Sequence, residues 1–163
     1  MQKSYLYLWL IVLGFSLSAC NLSRVVGPAV YSARSDYVVG DVYILNRPAF
    51  AFKYNKADPR ETPFLAPLGF SGTPSNLIDF QKYASDGGQV AGLLLPGDSL
   101  RIVKFIESKF INVGEFLEVI AVVESGQQAG GILELSMISR KRRPSYDVFV
   151  DPEYLRREKA ANP

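Results

Sequence analysis

Between Phe116 and Met137 apolar residues recur at a period of two: Leu117, Val119, Ala121 and Val123 share one face, with only Glu118 and Glu124 interrupting the other, and Leu133, Leu135 and Met137 are separated by Glu134 and Ser136. A period of two sends successive side chains to opposite faces of an extended chain, so this stretch fits a sheet and not a helix. Residues 116–124, the most apolar run, are expected as a central strand. Residues 133–137 are expected as a half-buried strand with Glu134 on the solvated face. Ser125-Gly126-Gln127-Gln128-Ala129-Gly130-Gly131 joins them as a hairpin turn; a phosphate cradle would need GxGxxG spacing, a P-loop lysine and a following helix, none of which is there.

The same chemistry recurs upstream. Val42-Tyr43-Ile44-Leu45 is dense in β-formers, and after Arg47-Pro48 the rings of Phe50, Phe52 and Tyr54 alternate with Ala49, Ala51 and Lys53. Three rings on one face make either core or a stripe that binds sugar or peptide, and with Phe70 they are the candidate binding surface. Pro96-Gly97-Asp98 makes a turn into a strand over 100–106, and residues 146–150 add an edge strand. Asp151-Pro152-Glu153 has the cap, first-turn proline and negative charge of a helix start, which predicts a short C-terminal helix within 151–163. Residues 55–98 form a turn-rich, proline-punctuated insertion. Thr73 as cap and Pro74 at the first helical position predict one short helix over 74–85, and the insertion is expected to pack on the sheet and carry specificity.

With 163 residues the chain makes one domain. The expected fold is mainly β, a small antiparallel barrel or sandwich. Leu95-Pro96-Gly97-Asp98-Ser99-Leu100 resembles the turn of bacterial SH3-like domains over residues 38–140, with Asp98 where that family carries threonine and no tryptophan near the binding face.

At the N-terminus Lys3 precedes an apolar run over 6–17 broken only by Gly14 and Ser16. As a helix it spans about 18 Å against the ~30 Å of a bilayer core, which reads as an export signal and not a permanent span. The run ends in Leu17-Ser18-Ala19-Cys20, which resembles the lipobox of bacterial lipoproteins. That resemblance implies that residues 1–19 are a signal peptide, that Leu17, Ser18 and Ala19 are read by the signal peptidase, and that the Cys20 thiol carries a diacylglycerol. It further implies a membrane anchor through the N-terminal lipid and, because Asn21 and not aspartate follows the cysteine, an outer-membrane location facing the periplasm. Residues 20–37, mixed and without period, are expected as a lipidated tether averaging roughly 23 Å, followed by a β-rich domain over 38–150.

The chain has no histidine and one cysteine, which removes imidazole acid–base chemistry, Ser-His-Asp triads, zinc sites and internal disulfides. No metal or cofactor is expected. Eighteen Lys+Arg against 16 Asp+Glu imply no broad polyanion partner, and export takes the chain away from nucleic acid. Arg140-Lys141-Arg142-Arg143 is the sharpest charge feature, either a headgroup contact or a solvated loop. Glu115, Glu118, Glu124 and Glu134 are the carboxylates from which a glycan-cleaving pair, ~5 to 9.5 Å apart, would have to come. The expected function is a non-catalytic, membrane-anchored envelope lipoprotein whose β domain binds or positions an envelope protein or cell-wall component. A carboxylate-based cell-wall or glycan hydrolase is the alternative, and a small-ligand carrier with a closed barrel and an internal cavity is a third.

Overall fold

A computed structural model of the protein describes residues 22–53, 61–85, 90–110, 114–142 and 147–158. Leu17, Ser18, Ala19, Cys20, Tyr54 and Arg143 lie outside the described residues. The architecture is mainly β, as the alternating pattern requires. Its spine is a long antiparallel hairpin of β6 (Ser99–Phe110) and β7 (Gly114–Val123). A register shift between Ile102 and Lys104 turns Val103 outward and resets the phase. Leu100, Ile102 and Phe105 therefore all face inward with Leu117, Val119, Ala121 and Val123, and all seven are buried.

Around this spine the other strands add on both sides. β2 (Val42–Leu45) pairs β6 on one flank and is followed outward by β11 (Leu155–Arg157). On the other flank lie β8 (Ile132–Glu134), β4 (Phe64–Pro67), β3 (Ala49–Phe52) and β5 (Val90–Leu94). The sheet is open, with β11 and β5 as its two ends; among its described strand pairs only Phe64–Glu134 of β4 and β8 is parallel. A separate ribbon of β9 (Arg140–Arg142) and β10 (Asp147–Phe149) packs against β7. The 125–131 segment forms the expected hairpin turn, closed by Val123 N–H to the Gly131 carbonyl (2.9 Å) and Gly130 N–H to the Val123 carbonyl (2.8 Å).

β3 explains the aromatic alternation. All four of its residues are buried, so both faces of the strand are covered. Ala49 and Ala51 face the main core, where small side chains suit a crowded interior, while Phe50 and Phe52 enter a second cluster with Ala66 and Phe80. Phe80 belongs to α2 (Leu77–Ser85), and its ring lies 4.7 Å from that of Phe50. The insertion thus supplies one helix, as expected, but also two strands of the sheet, β4 and β5. The helix starts three residues later than the 74–85 expectation. Asn76 caps it: its Oδ1 accepts from Asp79 N–H (2.9 Å) and its amide donates back to the Asp79 carboxylate (2.6 Å). Thr73, the expected cap, is buried and spends its hydroxyl on the Phe70 carbonyl (2.8 Å).

Three other expectations are corrected. The supposed tether is folded: β1 (Leu22–Val26) pairs with β6 from Leu22↔Lys109 to Val26↔Phe105. A short helix α1 (Pro28–Tyr31) follows, and the Tyr31 ring stacks on Phe105 at 3.9 Å. A five-residue strand with an open ladder beside it gains more from pairing than from staying loose, and no periodicity within five residues announces that. The C-terminal helix is replaced by a single turn, Leu155 N–H to the Asp151 carbonyl (2.8 Å), after which the chain leaves as β11 along β2. The strand expected over 133–137 ends at Glu134, and Ser136–Ile138 form a 3-10 turn.

Candidate functional site

The aromatic stripe is not a surface. Phe50 and Phe52 are 0% and 3% exposed, and Phe70, half-buried, meets Phe52 edge-on with ring centroids 5.4 Å apart. This corrects the binding-surface expectation for Phe50 and Phe52. Their strand is interior and α2 roofs the face they share, so the rings serve packing. Phe50, Leu133 and Leu135 are likewise buried in the packed interior.

Arg140–Arg142 of the basic run form strand β9, antiparallel to β10. Alternate residues of a strand face opposite ways, so neighbouring cations are divided instead of forming one patch. Arg140, exposed, donates from Nε to the Val150 carbonyl (3.1 Å), whereas Lys141 lines a groove. Arg140 and Lys141 are therefore on opposite faces of the ribbon.

That groove is the more apolar of two surface grooves among the described residues. It encloses about 210 Å³ between Phe64, Phe116, Met137 and Val148, with Glu118, Ser136 and Lys141 adding polar atoms. Each wall follows from the fold. β7 carries Phe116 and Glu118, β4 brings Phe64 beside β8, the 3-10 turn presents Ser136 and Met137, and the β9–β10 ribbon closes the side with Lys141 and Val148.

Beneath this groove Glu134 is 2% exposed. Its Oε1 accepts from Ser136 N–H (2.9 Å) and its Oε2 from the Ser136 hydroxyl (2.7 Å). Burial pushes its carboxyl up to about 7; the two Ser136 bonds act in the opposite direction, and the nearby Glu118 charge pushes the same way as burial. The expectation of a solvated Glu134 is thereby corrected. Parity identifies the face opposite Leu133, but whether anything covers it depends on β4 and on where the chain turns after Leu135. No signal in the sequence carries either fact.

The remaining carboxylates are dispersed. Glu115 pairs with Lys109 (2.9 Å) and Glu124 with Arg101. Ile120↔Glu134 pairing puts Glu118 on the same face as Glu134 and, by sheet geometry, at a diagonal spacing of roughly 7–8 Å. Both Glu134 oxygens are already engaged by Ser136. With apolar walls and one carboxylate and one ammonium among its lining groups, the groove suits binding of a segment of mixed apolar and charged character. Among the described residues no helix is long and apolar enough to cross a membrane.

The fold and groove define a small β-rich domain with a surface recess. No family model matches the chain, and no curated protein or solved structure matches it either.

Proposed function

We propose that this chain is a lipid-anchored envelope protein, acylated on Cys20 and held at the outer membrane facing the periplasm, whose β domain binds or positions an envelope protein or cell-wall component without catalysing a reaction. The observation that carries it is Leu17-Ser18-Ala19-Cys20 at the end of the apolar run over 6–17. A diacylglycerol on that sulfur, at ~0.8 kcal/mol per buried methylene, holds a domain at a membrane without any spanning helix. The contact surface in this reading is the groove of Phe64, Phe116, Met137 and Lys141, because the aromatic rings of β3 are spent in the core.

The test has two arms. Metabolic labelling with a palmitate analogue gives label in the wild type and none in Cys20→Ala; equal label in both ends the lipoprotein reading. A photo-crosslinking residue in place of Lys141 in intact cells captures a partner that mass spectrometry identifies. The same crosslinker in place of Gln127, on the exposed hairpin turn, does not.

A further inference from the structure

Only Asn21 stands between Cys20 and Leu22, the first residue of β1. Two peptide steps span at most about 7 Å. β1 is not a free arm: five consecutive residues pair with β6, and Leu22 lies opposite Lys109, which in turn lies opposite Glu115 of β7. The start of β1 and the end of the β6–β7 hairpin at which Phe110 pairs with Gly114 are therefore one edge of the molecule.

The pairing of β1 is reinforced by side chains. Ser23 and Ser108 hydroxyls meet at 2.9 Å, and Arg24 donates from Nε (2.9 Å) and from Nη2 (2.7 Å) to Glu107 Oε2. Arg34, beyond α1, reaches the other Glu107 oxygen at 2.8 Å and Asp147 at 2.9 Å, fastening the segment to the body a second time. At this edge a groove of about 360 Å³ opens between Ser23, Arg24, Glu107, Lys109 and Glu115. The Arg24 and Lys109 side chains there are 74% and 62% exposed.

We propose that the acylated Cys20 holds the domain in a fixed pose, with the Leu22–Lys109–Glu115 edge against the lipid headgroups and the 125–131 turn directed away from them. This rests on the acylation proposed above and adds to it the surface that meets the bilayer. A flexible tether would let every face visit the membrane. A link of about 7 Å that leads straight into a paired strand does not, because turning the domain over would require β1 to leave the sheet. Along β6 the distance from Lys109 to Ser99, next to the far turn, is roughly 30 Å at ~3.3 Å per residue.

The test uses the full precursor, processed in cells, purified and reconstituted in phosphatidylethanolamine/phosphatidylglycerol vesicles that contain a lipid with a nitroxide headgroup. A fluorophore is placed on Lys109→Cys, Glu115→Cys or Gln127→Cys, and intact mass reports whether Cys20 is acylated. The expected result is quenching several-fold stronger at positions 109 and 115 than at 127. Inserting about twelve Gly/Ser residues after Asn21, which adds roughly 20 Å of reach, should abolish the difference. With Cys20 acylated, equal quenching at the three positions or stronger quenching at 127 overturns the fixed pose and leaves the lipoprotein reading intact. A bare Cys20 overturns both.

Discussion

The Ser136 hydroxyl donates to Glu134 Oε2 over 2.7 Å while the Ser136 backbone N–H donates to Oε1 over 2.9 Å, so one residue occupies both oxygens of a buried carboxylate. Two hydrogen bonds do not replace the hydration lost on burial, and the carboxyl is pushed up to about 7 from an ordinary 4.5.

The pH dependence of stability follows. Between pH 4.5 and 7 the folded chain holds a proton on Glu134 that the unfolded chain has released, so stability falls as pH rises through this window. The contribution is fully present below 4.5, is lost by pH values above 7, and amounts to about 3 kcal/mol. Urea denaturation from pH 4.5 to 8 should show this decline in the wild type and a flatter profile in Glu134→Gln, with Gln the more stable at pH 8. Parallel profiles would place the titration elsewhere.

Phe80 is the roof of the second core, fully buried against Phe50. Truncating it in Phe80→Ala leaves a cavity under α2 and should cost about 3–5 kcal/mol, read as a lowered denaturation midpoint. Ile78→Ala on the same helix, at a position 80% exposed, should leave the midpoint nearly unchanged.

Arg34 joins Glu107 of β6 to Asp147 of β10, and the three side chains are 19%, 12% and 14% exposed. Removing the guanidinium takes a charged hydrogen bond from each of two carboxylates, while Glu107 keeps Arg24, and Arg34→Ala should cost about 1.5–3 kcal/mol. The exposed Arg47–Glu153 pair is the control, since both partners are at least half exposed. In Arg47→Ala the urea midpoint should not move measurably.

Gly126 has φ +87°, and a Cβ there would run into the Asp98 carboxylate, which accepts from Leu95 N–H (2.9 Å) in the facing turn. Gly97, at φ +100°, faces open space. Alanine at Gly97 should cost the left-handed backbone penalty alone, about 1–2 kcal/mol. Alanine at Gly126 should lower the thermal midpoint further, and equal losses would mean that Asp98 yields without cost.

What the chain declares by itself is its period. Leu117, Val119, Ala121 and Val123 share one face of an extended chain, so the strand is legible in the order of residues, but Phe116, Ile120 and Val122 make the opposite face apolar too and Ile120 is itself buried. The hairpin turn at 125–131 is equally local, since it rests on glycine geometry, whereas the helix start expected at Asp151 gives only a turn. The tertiary structure decided everything that depends on what lies across a face. Phe50 and Phe52 became core because α2 covers them, and Glu134 became buried because β4 and the 3-10 turn close over it. Residues 22–26 became a strand because β6 runs long enough to offer a free ladder, and residues 155–157 became a strand instead of a helix because β2 offers another. Alternation is a property of neighbours in sequence, whereas cover and ladder pairing are supplied by residues tens of positions away, and no local pattern records them.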